Sequence, residues 1–341
     1  MSGWPLPDGW HRIETIDAHT AGEPFRVVVD GFPEIKGDSV LARRRYARQH
    51  LDHLRRALMW EPRGHADMYG CLLIPPDSEA ADLAVLFMHN EGYSTMCGHG
   101  IIGLVTVAIE AGLVQTSGQQ PELAIETPAG LVHTTAFLEG GHVRSVRFRN
   151  VPSFVVALDQ VVEVPEYGQL RYDLAFGGAY YAFLDAASIG LPLSPEASDG
   201  WIKAGRAVKQ AVSQQRTIEH PYEADLGFLY GAIFIGPADK PQSHSRNVCI
   251  FADGEVDRCP TGTGVSARLA IHWARGEIDA GQWIEVESII GTRFRGRVTD
   301  ETDFGLYPAI VPEIEGTAHL TGRHTFVIDP TDPLRNGFLL R

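Results

Sequence analysis

Two stretches of this chain are apolar on nearly every side of a helical wheel, and each follows a glycine-flanked turn. Ile101 to Ala111 runs on from Gly100, and Val265 to Arg275 runs on from Gly264. Ile101, Val105, Ala108 and Ile109 of the first match Val265, Leu269, His272 and Trp273 of the second. A helix apolar all round is expected to be buried. A third helix, from about Ser39 to Leu58, is amphipathic. Tyr46, Leu51, Leu54 and Leu58 make its apolar stripe, and Arg43, Arg44, Arg45, Arg48, Arg55 and Arg56 are expected on its solvated face. Most of the remaining pattern reads as short strands between turns. Arg26 to Val29, Leu83 to Met88, Val143 to Arg149, Val155 to Leu158 and Gly231 to Ile235 carry β-branched or aromatic residues bounded by Gly, Pro or Asp.

The two apolar helices belong to a weak internal duplication. When Met96-Cys97-Gly98-His99-Gly100 is laid over Pro260-Thr261-Gly262-Thr263-Gly264, Gly112 also meets Gly276. Farther on, Leu123-Ala124-Ile125-Glu126 leads to Gly130, and Ile284-Glu285-Val286-Glu287 leads to Gly291. A period near half the chain predicts two similar units, each with strands, a glycine-opened central helix, then a strand and a turn. Length agrees, since 341 residues exceed one typical core. The expected lobes are 1–155 and 156–324, with the boundary near Pro152 to Pro165. The terminal segment 325–341, carrying Phe326-Val327-Ile328, is expected to return as a strand to the first lobe.

Composition narrows the function classes. An apolar fraction of 44% and a charged fraction of 21% are ordinary for a soluble globular chain. A net charge of -14 argues against a nucleic-acid partner, which needs clustered Lys and Arg for phosphates. No apolar run approaches the ~20 residues of a membrane span. The start, Met1-Ser2-Gly3-Trp4-Pro5, is polar, broken by proline and without a secretory apolar region. Cys71, Cys97, Cys249 and Cys259 show no framework spacing, which points to a reduced cytoplasmic setting.

The duplication places a thiol at one helix start only. Unpaired N–H groups and the helix dipole there favour a thiolate, with a pKa of roughly 3.5–7.5. Such a thiolate serves as nucleophile or base. Gly98 and Gly100 let a ligand carboxylate approach the backbone, and His99 can donate to it or tune the thiol. Asp257, before the second helix start, can hold a ligand ammonium. Its blander role is to cap a turn, as inert packing is the blander role of a buried cysteine. Competing chemistries are weaker. Cys97, His99 and His89 match no closed zinc pattern, so no metal is expected. No third group orients a Cys-His hydrolase. Gly262-Thr263-Gly264 lacks the P-loop lysine. None of the four lysines, Lys36, Lys203, Lys209 and Lys240, sits in a setting that suggests a pyridoxal Schiff base.

Met96-Cys97-Gly98-His99-Gly100 and Asp257-Arg258-Cys259-Pro260-Thr261-Gly262-Thr263-Gly264 resemble the two active-site motifs of the proline racemase family. The resemblance covers most of the chain, including Asp17 to Pro24, Pro62 to Gly70 and Asn90 to Thr95. It implies an α+β fold like that of diaminopimelate epimerase: two similar domains, each a β-barrel-like sheet around a central helix, with the site in the cleft between them. Racemases and epimerases of the family carry a cysteine at both motif positions. Here the second is Thr261, the pairing that marks the trans-3-hydroxy-L-proline dehydratase branch. An alcohol is too weak an acid and base to share proton transfer at neutral pH.

The resemblance therefore implies cofactor-independent loss of water to give Δ1-pyrroline-2-carboxylate, with Cys97 and Thr261 as the catalytic pair. In the trans substrate the α-hydrogen and the hydroxyl share one ring face. Cys97 alone can thus take the α-proton and return it to the departing hydroxyl. By family position, Gly98, His99, Asp257, Gly262 and Thr263 hold the imino acid, and Thr261 is a ligand-facing donor. The family usually has Ser where this chain has Cys259. A displaced second acid there is disfavoured, because Pro260 restricts its aim. A proline or 4-hydroxyproline racemase, or a non-catalytic imino-acid binder, remain as alternatives. An internal cleft needs no partner subunit, and the sequence leaves monomer or homodimer open.

Overall fold

The computed structural model describes residues 5–340. Residues 1–4, which open the polar start read above, lie outside the described residues. Five α-helices occur among the described residues: α1 (Val40–Tyr46), α2 (Asp52–Met59), α3 (Gly98–Glu110), α4 (Ser198–Gln215) and α5 (Gly262–Ala274). The two all-round apolar stretches are α3 and α5. Every residue from Gly98 to Ala108 is buried, as is every residue from Gly262 to Ile271. Both helices start three residues before the apolar pattern does, because the glycine turns themselves form the first helical turn.

Each helix is the axis of one half. Around α3 lie the strands His11–Thr20, Glu23–Asp30, Gly130–Glu139, His142–Arg149 and Ala318–Ile328. Around α5 lie Ser153–Val164, Gly168–Phe176, Tyr180–Asp185 and Arg293–Phe304. The strand Tyr307–Gly316 packs on both helices. It pairs with Arg293–Phe304, His142–Arg149 and Ser153–Val164, so one hydrogen-bonded ladder runs through the molecule. The chain is thus α+β, with two similar units, each a curved sheet around a central helix.

Details repeat between the units. Gly112 and Gly276 end the helices in left-handed conformations, at φ of +68° and +67°. Both make the same closing bonds. Gly112 N–H donates to Ile109 and Leu113 N–H to Ala108, while Gly276 N–H donates to Trp273 and Glu277 N–H to His272. This is the Schellman arrangement, in which glycine avoids the Cβ penalty. Glu126 accepts the backbone N–H groups of Asp77 and Ser78, and Glu287 accepts those of Asp239 and Lys240. The duplicated sequence therefore reproduces helix caps and turn anchors as well as a hydrophobic pattern.

The five strands expected from alternation all lie within observed strands, and Leu83–Met88 has the same ends. The terminal strand is longer than expected. It begins at Ala318 and pairs antiparallel with His11–Thr20, from Thr20 opposite Ala318 to His11 opposite Ile328. Three features depart from the sequence reading. The amphipathic helix is two helices, α1 and α2, joined by a wide π-type turn over Ala47–Leu51. Its arginines do not all face solvent. Arg44 is buried and donates to the Tyr93 carbonyl, and Arg55 is buried and donates to the His89 and Asn90 carbonyls. Their five-donor heads satisfy loop carbonyls that packing would otherwise strand, which favours burial over solvation. Finally, α4 is a helix that the sequence pattern above does not predict. It packs Trp201, Ile202, Ala204, Val208 and Val212 inward on the strands Leu229–Gly236 and Ser245–Phe251. No helix among the described residues is long and apolar enough to cross a membrane.

Candidate active site

The two glycine-opened helix starts meet. A methyl placed on Gly98 would lie 2.6 Å from the Gly262 Cα, and one placed on Gly262 would lie 2.8 Å from the Gly98 Cα. Only glycine permits this backbone contact. It brings α3 and α5 end to end, with the first-turn N–H groups of both helices lacking intrahelical acceptors. All seven residues singled out for the site line one cleft: Cys97, Gly98 and His99 from the first start, and Asp257, Thr261, Gly262 and Thr263 from the second. The cavity between the walls is only about 10 Å³, room for about one water molecule, so the cleft is closed as it stands.

The capping residues differ. Cys97 has extended backbone, φ -144° and ψ 112°, and its Sγ accepts the Gly100 N–H at 3.2 Å. Its Sγ also lies 3.2 Å from His99 Nδ1. Thr261 is left-handed, at φ 67° and ψ 89°, and its side chain does not cap α5. Instead Thr261 Oγ1 donates to Asp257 Oδ2 at 2.7 Å. Asp257 Oδ1 accepts the Cys259 N–H at 2.8 Å, and the Thr261 N–H donates to Cys259 Sγ at 3.3 Å. Cys259 has no exposure and does not line the cleft, so its thiol lies behind Thr261 rather than facing a ligand.

Burial sets the protonation states. It pushes the Cys97 thiol above its ordinary range, opposed by hydrogen bonds from Tyr69 and the Gly100 N–H and reinforced by the charges of Asp257 and Glu23. The helix-start expectation of a lowered thiol pKa is thus reversed here, because desolvation outweighs the few N–H dipoles. Burial also takes the His99 imidazole down to about 3, leaving it neutral, and lifts the Asp257 carboxyl to about 6. Glu23 is held well above the carboxylate range, first by burial and then by the charge of Asp257.

The sequence profile of the proline racemase family matches residues 15–339. The chain belongs to the proline racemase family. A Colwellia psychrerythraea protein named trans-3-hydroxy-L-proline dehydratase is 45% identical over 334 residues, covering 98% of this chain and 94% of its own. A Burkholderia multivorans protein named 3-hydroxyproline 2-epimerase is 44% identical over 96% of this chain and 98% of its own. The crystal structure of an Agrobacterium vitis hydroxyproline epimerase with bound trans-4-hydroxy-L-proline superposes with a TM-score of 0.91 at 31% identity, covering 97% of this chain and 96% of that one. The fold is the diaminopimelate epimerase-like one that the family resemblance implied.

Five further residues line the cleft that the sequence reading gave no individual role: Tyr69, Met96, Tyr181, Tyr230 and Phe251. Tyr69 hydroxyl is 2.6 Å from Ser94 Oγ, and Tyr181 hydroxyl is 2.6 Å from Thr263 Oγ1. Tyr69 and Met96 sat inside segments already carrying the family resemblance. Tyr181, Tyr230 and Phe251 lie in or beside strands, where an aromatic reads as packing. The cleft therefore has a polar floor of helix-start N–H groups and one carboxylate, walled by aromatic rings. Such a site can grip a carboxylate and an ammonium together while excluding water from a thiol.

Proposed function

We propose that this protein is a hydro-lyase that converts trans-3-hydroxy-L-proline to Δ1-pyrroline-2-carboxylate without a cofactor. The reading is carried by one observation. Across the paired helix starts Cys97 is faced by Thr261, not by a second thiol, and the Thr261 hydroxyl is committed to Asp257. The names of several relatives support the same activity.

The cleft lies between two lobes, which we place near 1–155 and 156–317, with the last strand, Ala318–Ile328, returned to the first. Opening of the lobes admits substrate and re-wets the Cys97 thiol, and closure then buries it beside the substrate ammonium. Re-wetting and the nearby ammonium charge favour the thiolate, against the burial that closure restores. N–H groups at Gly98, His99, Gly262 and Thr263 receive the substrate carboxylate, and Asp257 receives the ring nitrogen. Cys97 takes the α-proton, and the electrons of the Cα–H bond enter an enediolate that the helix starts stabilise. The Cβ–O bond then breaks, and the leaving hydroxide takes the proton back from Cys97. Water departs, the thiolate is restored, and the enamine tautomerises to the imine. One base suffices because both leaving groups lie on one ring face.

An epimerase reading is favoured by two names, that of the Burkholderia multivorans relative and that of the Agrobacterium vitis structure. Proton NMR in D2O separates the two. Incubation with trans-3-hydroxy-L-proline is expected to yield Δ1-pyrroline-2-carboxylate, with 4-hydroxyproline and L-proline unchanged. Deuterium at the α-carbon with inversion and no loss of water would establish the epimerase instead. Ligand-induced thermal stabilisation with neither reaction would leave an imino-acid binder.

A further inference from the structure

One group of side chains at the site has no part in that chemistry as a set. The ligating atoms of His99, Asp257 and Cys259 all lie within 4.8 Å of one another, and all three residues are buried. We propose that His99, Asp257 and Cys259 form an inhibitory binding site for a thiophilic divalent cation of the Zn2+ class.

The donor set is an imidazole nitrogen, a carboxylate oxygen and a thiol sulfur, which are the three ligand types that zinc takes. With bonds of roughly 2.0–2.3 Å, neighbouring donors of a tetrahedral zinc lie about 3.3–3.8 Å apart. The three side chains therefore need to draw together by at most about 1.5 Å. The fourth position is left for water or a ligand carboxylate. His99 offers a ring nitrogen and Cys259 a sulfur, and a bound cation would displace the thiol proton.

A second observation is an unpartnered polar atom beside the site. Glu23 is fully buried, within electrostatic reach of Asp257, and leaves Oε1 without a hydrogen-bond partner among the described residues. Arg258 serves the other oxygen. Its backbone N–H donates to Glu23 Oε2 and its guanidinium lies 4.0 Å from that oxygen, while also bonding to Asp67 and the Val256 carbonyl. A bound cation would occupy the ammonium place beside Asp257 and would tie down the imidazole that lies 3.2 Å from the Cys97 sulfur. Both effects block turnover. With Ser at position 259 the site would lose its thiolate. Sensitivity to zinc is therefore a property of this chain's own Cys259.

The test uses the full chain stripped with a chelator. Co2+ serves as the spectroscopic probe and Zn2+ as the inhibitor, with trans-3-hydroxy-L-proline turnover measured alongside. The wild type is expected to show a thiolate-to-cobalt absorption band that Zn2+ removes, and to lose turnover as Zn2+ binds. Cys259→Ser is expected to keep its metal-free turnover, lose the band, and need at least ~10-fold more Zn2+ for half inhibition. Cys97→Ser is expected to retain the band. The cobalt band reads the site whether or not the protein dehydrates this substrate. Absence of the band in the wild type would overturn the proposal. So would a band and zinc sensitivity that persist in Cys259→Ser and vanish in Cys97→Ser, which would place the metal on Cys97.

Discussion

The starts of α3 and α5 are the same device built twice, and they differ where it counts. Both open on Gly-x-Gly, meet backbone to backbone at Gly98 and Gly262, and close in matching glycine caps. Cys97 nevertheless caps its own helix, with its sulfur on the Gly100 N–H and facing the cleft. Thr261 is turned away from its helix by a left-handed backbone. For a β-branched residue that conformation costs on the order of 1–3 kcal/mol. The bonds to Asp257 and Cys259 hold it in place. Duplication therefore preserved the frame that binds, while the capping position was free to diverge in chemistry. Asymmetry in a pseudo-symmetric site follows from one residue and its backbone angles, not from a different fold.

The sharpest way to break the comparison is to remove the group that only one side has. Cys97→Ser is expected to lower kcat by at least ~10³-fold, as loss of a general acid–base group does. Ligand binding should persist, since the helix-start N–H groups are untouched. Calorimetry beside turnover checks both halves of the statement.

Removing the carboxylate that anchors Thr261 comes next. Asp257→Asn is expected to reduce kcat/KM by about 10²-fold, through loss of the ammonium partner. The wild-type pH profile sharpens the point. Asp257 has its carboxyl lifted to about 6, so its charged form is lost as pH falls through that value, and kcat/KM should fall with it. Cys97 has its thiol raised by burial, so the base form grows as pH rises above neutrality, and the rate should climb on that side. A pH series of kcat/KM in wild type and Asp257→Asn is expected to show the acidic limb in the first and not in the second.

Restoring symmetry is a subtler test. Thr261→Cys places a thiol opposite Cys97, and α-proton exchange with inversion on 4-hydroxyproline is expected to rise above the wild-type background. Deuterium incorporation measures it. If exchange does not rise, the residue at this position does not by itself choose between the two chemistries. The smallest expected effect concerns the shared frame. Gly98→Ala forces a methyl against the Gly262 backbone and should destabilise the fold by about 1–3 kcal/mol. A lowered Tm would register it, and an unchanged Tm would mean that the helix starts can separate without penalty.

Much of this was legible in the chain. The apolar periodicity locates α3 and α5, and the register of three glycine pairs announces the duplication. The segment after each helix, ending in Glu126 and Glu287, was matched on sequence and proved to anchor equivalent turns. Reading went astray where the answer depended on remote neighbours. Arg44 and Arg55 look like solvated charges, yet they satisfy the carbonyls of residues 89–93, which arrive from elsewhere in the chain. Tyr181, Tyr230 and Phe251 look like strand packing, yet they wall the cleft.

The sequence alone determined the local elements and the chemical inventory: two glycine-opened helices, one thiol and one alcohol at equivalent positions, and a carboxylate four residues before the alcohol. These follow from side-chain period, caps and residue identity, all properties of short segments. Only the tertiary structure decided that Gly98 touches Gly262, that Thr261 turns to Asp257, and that Cys97 is buried deeply enough to hold its proton. The physical reason is that desolvation and close approach are set by atoms distant in sequence. A helix start acts on a thiol through a few nearby dipoles, whereas burial withdraws the whole solvent.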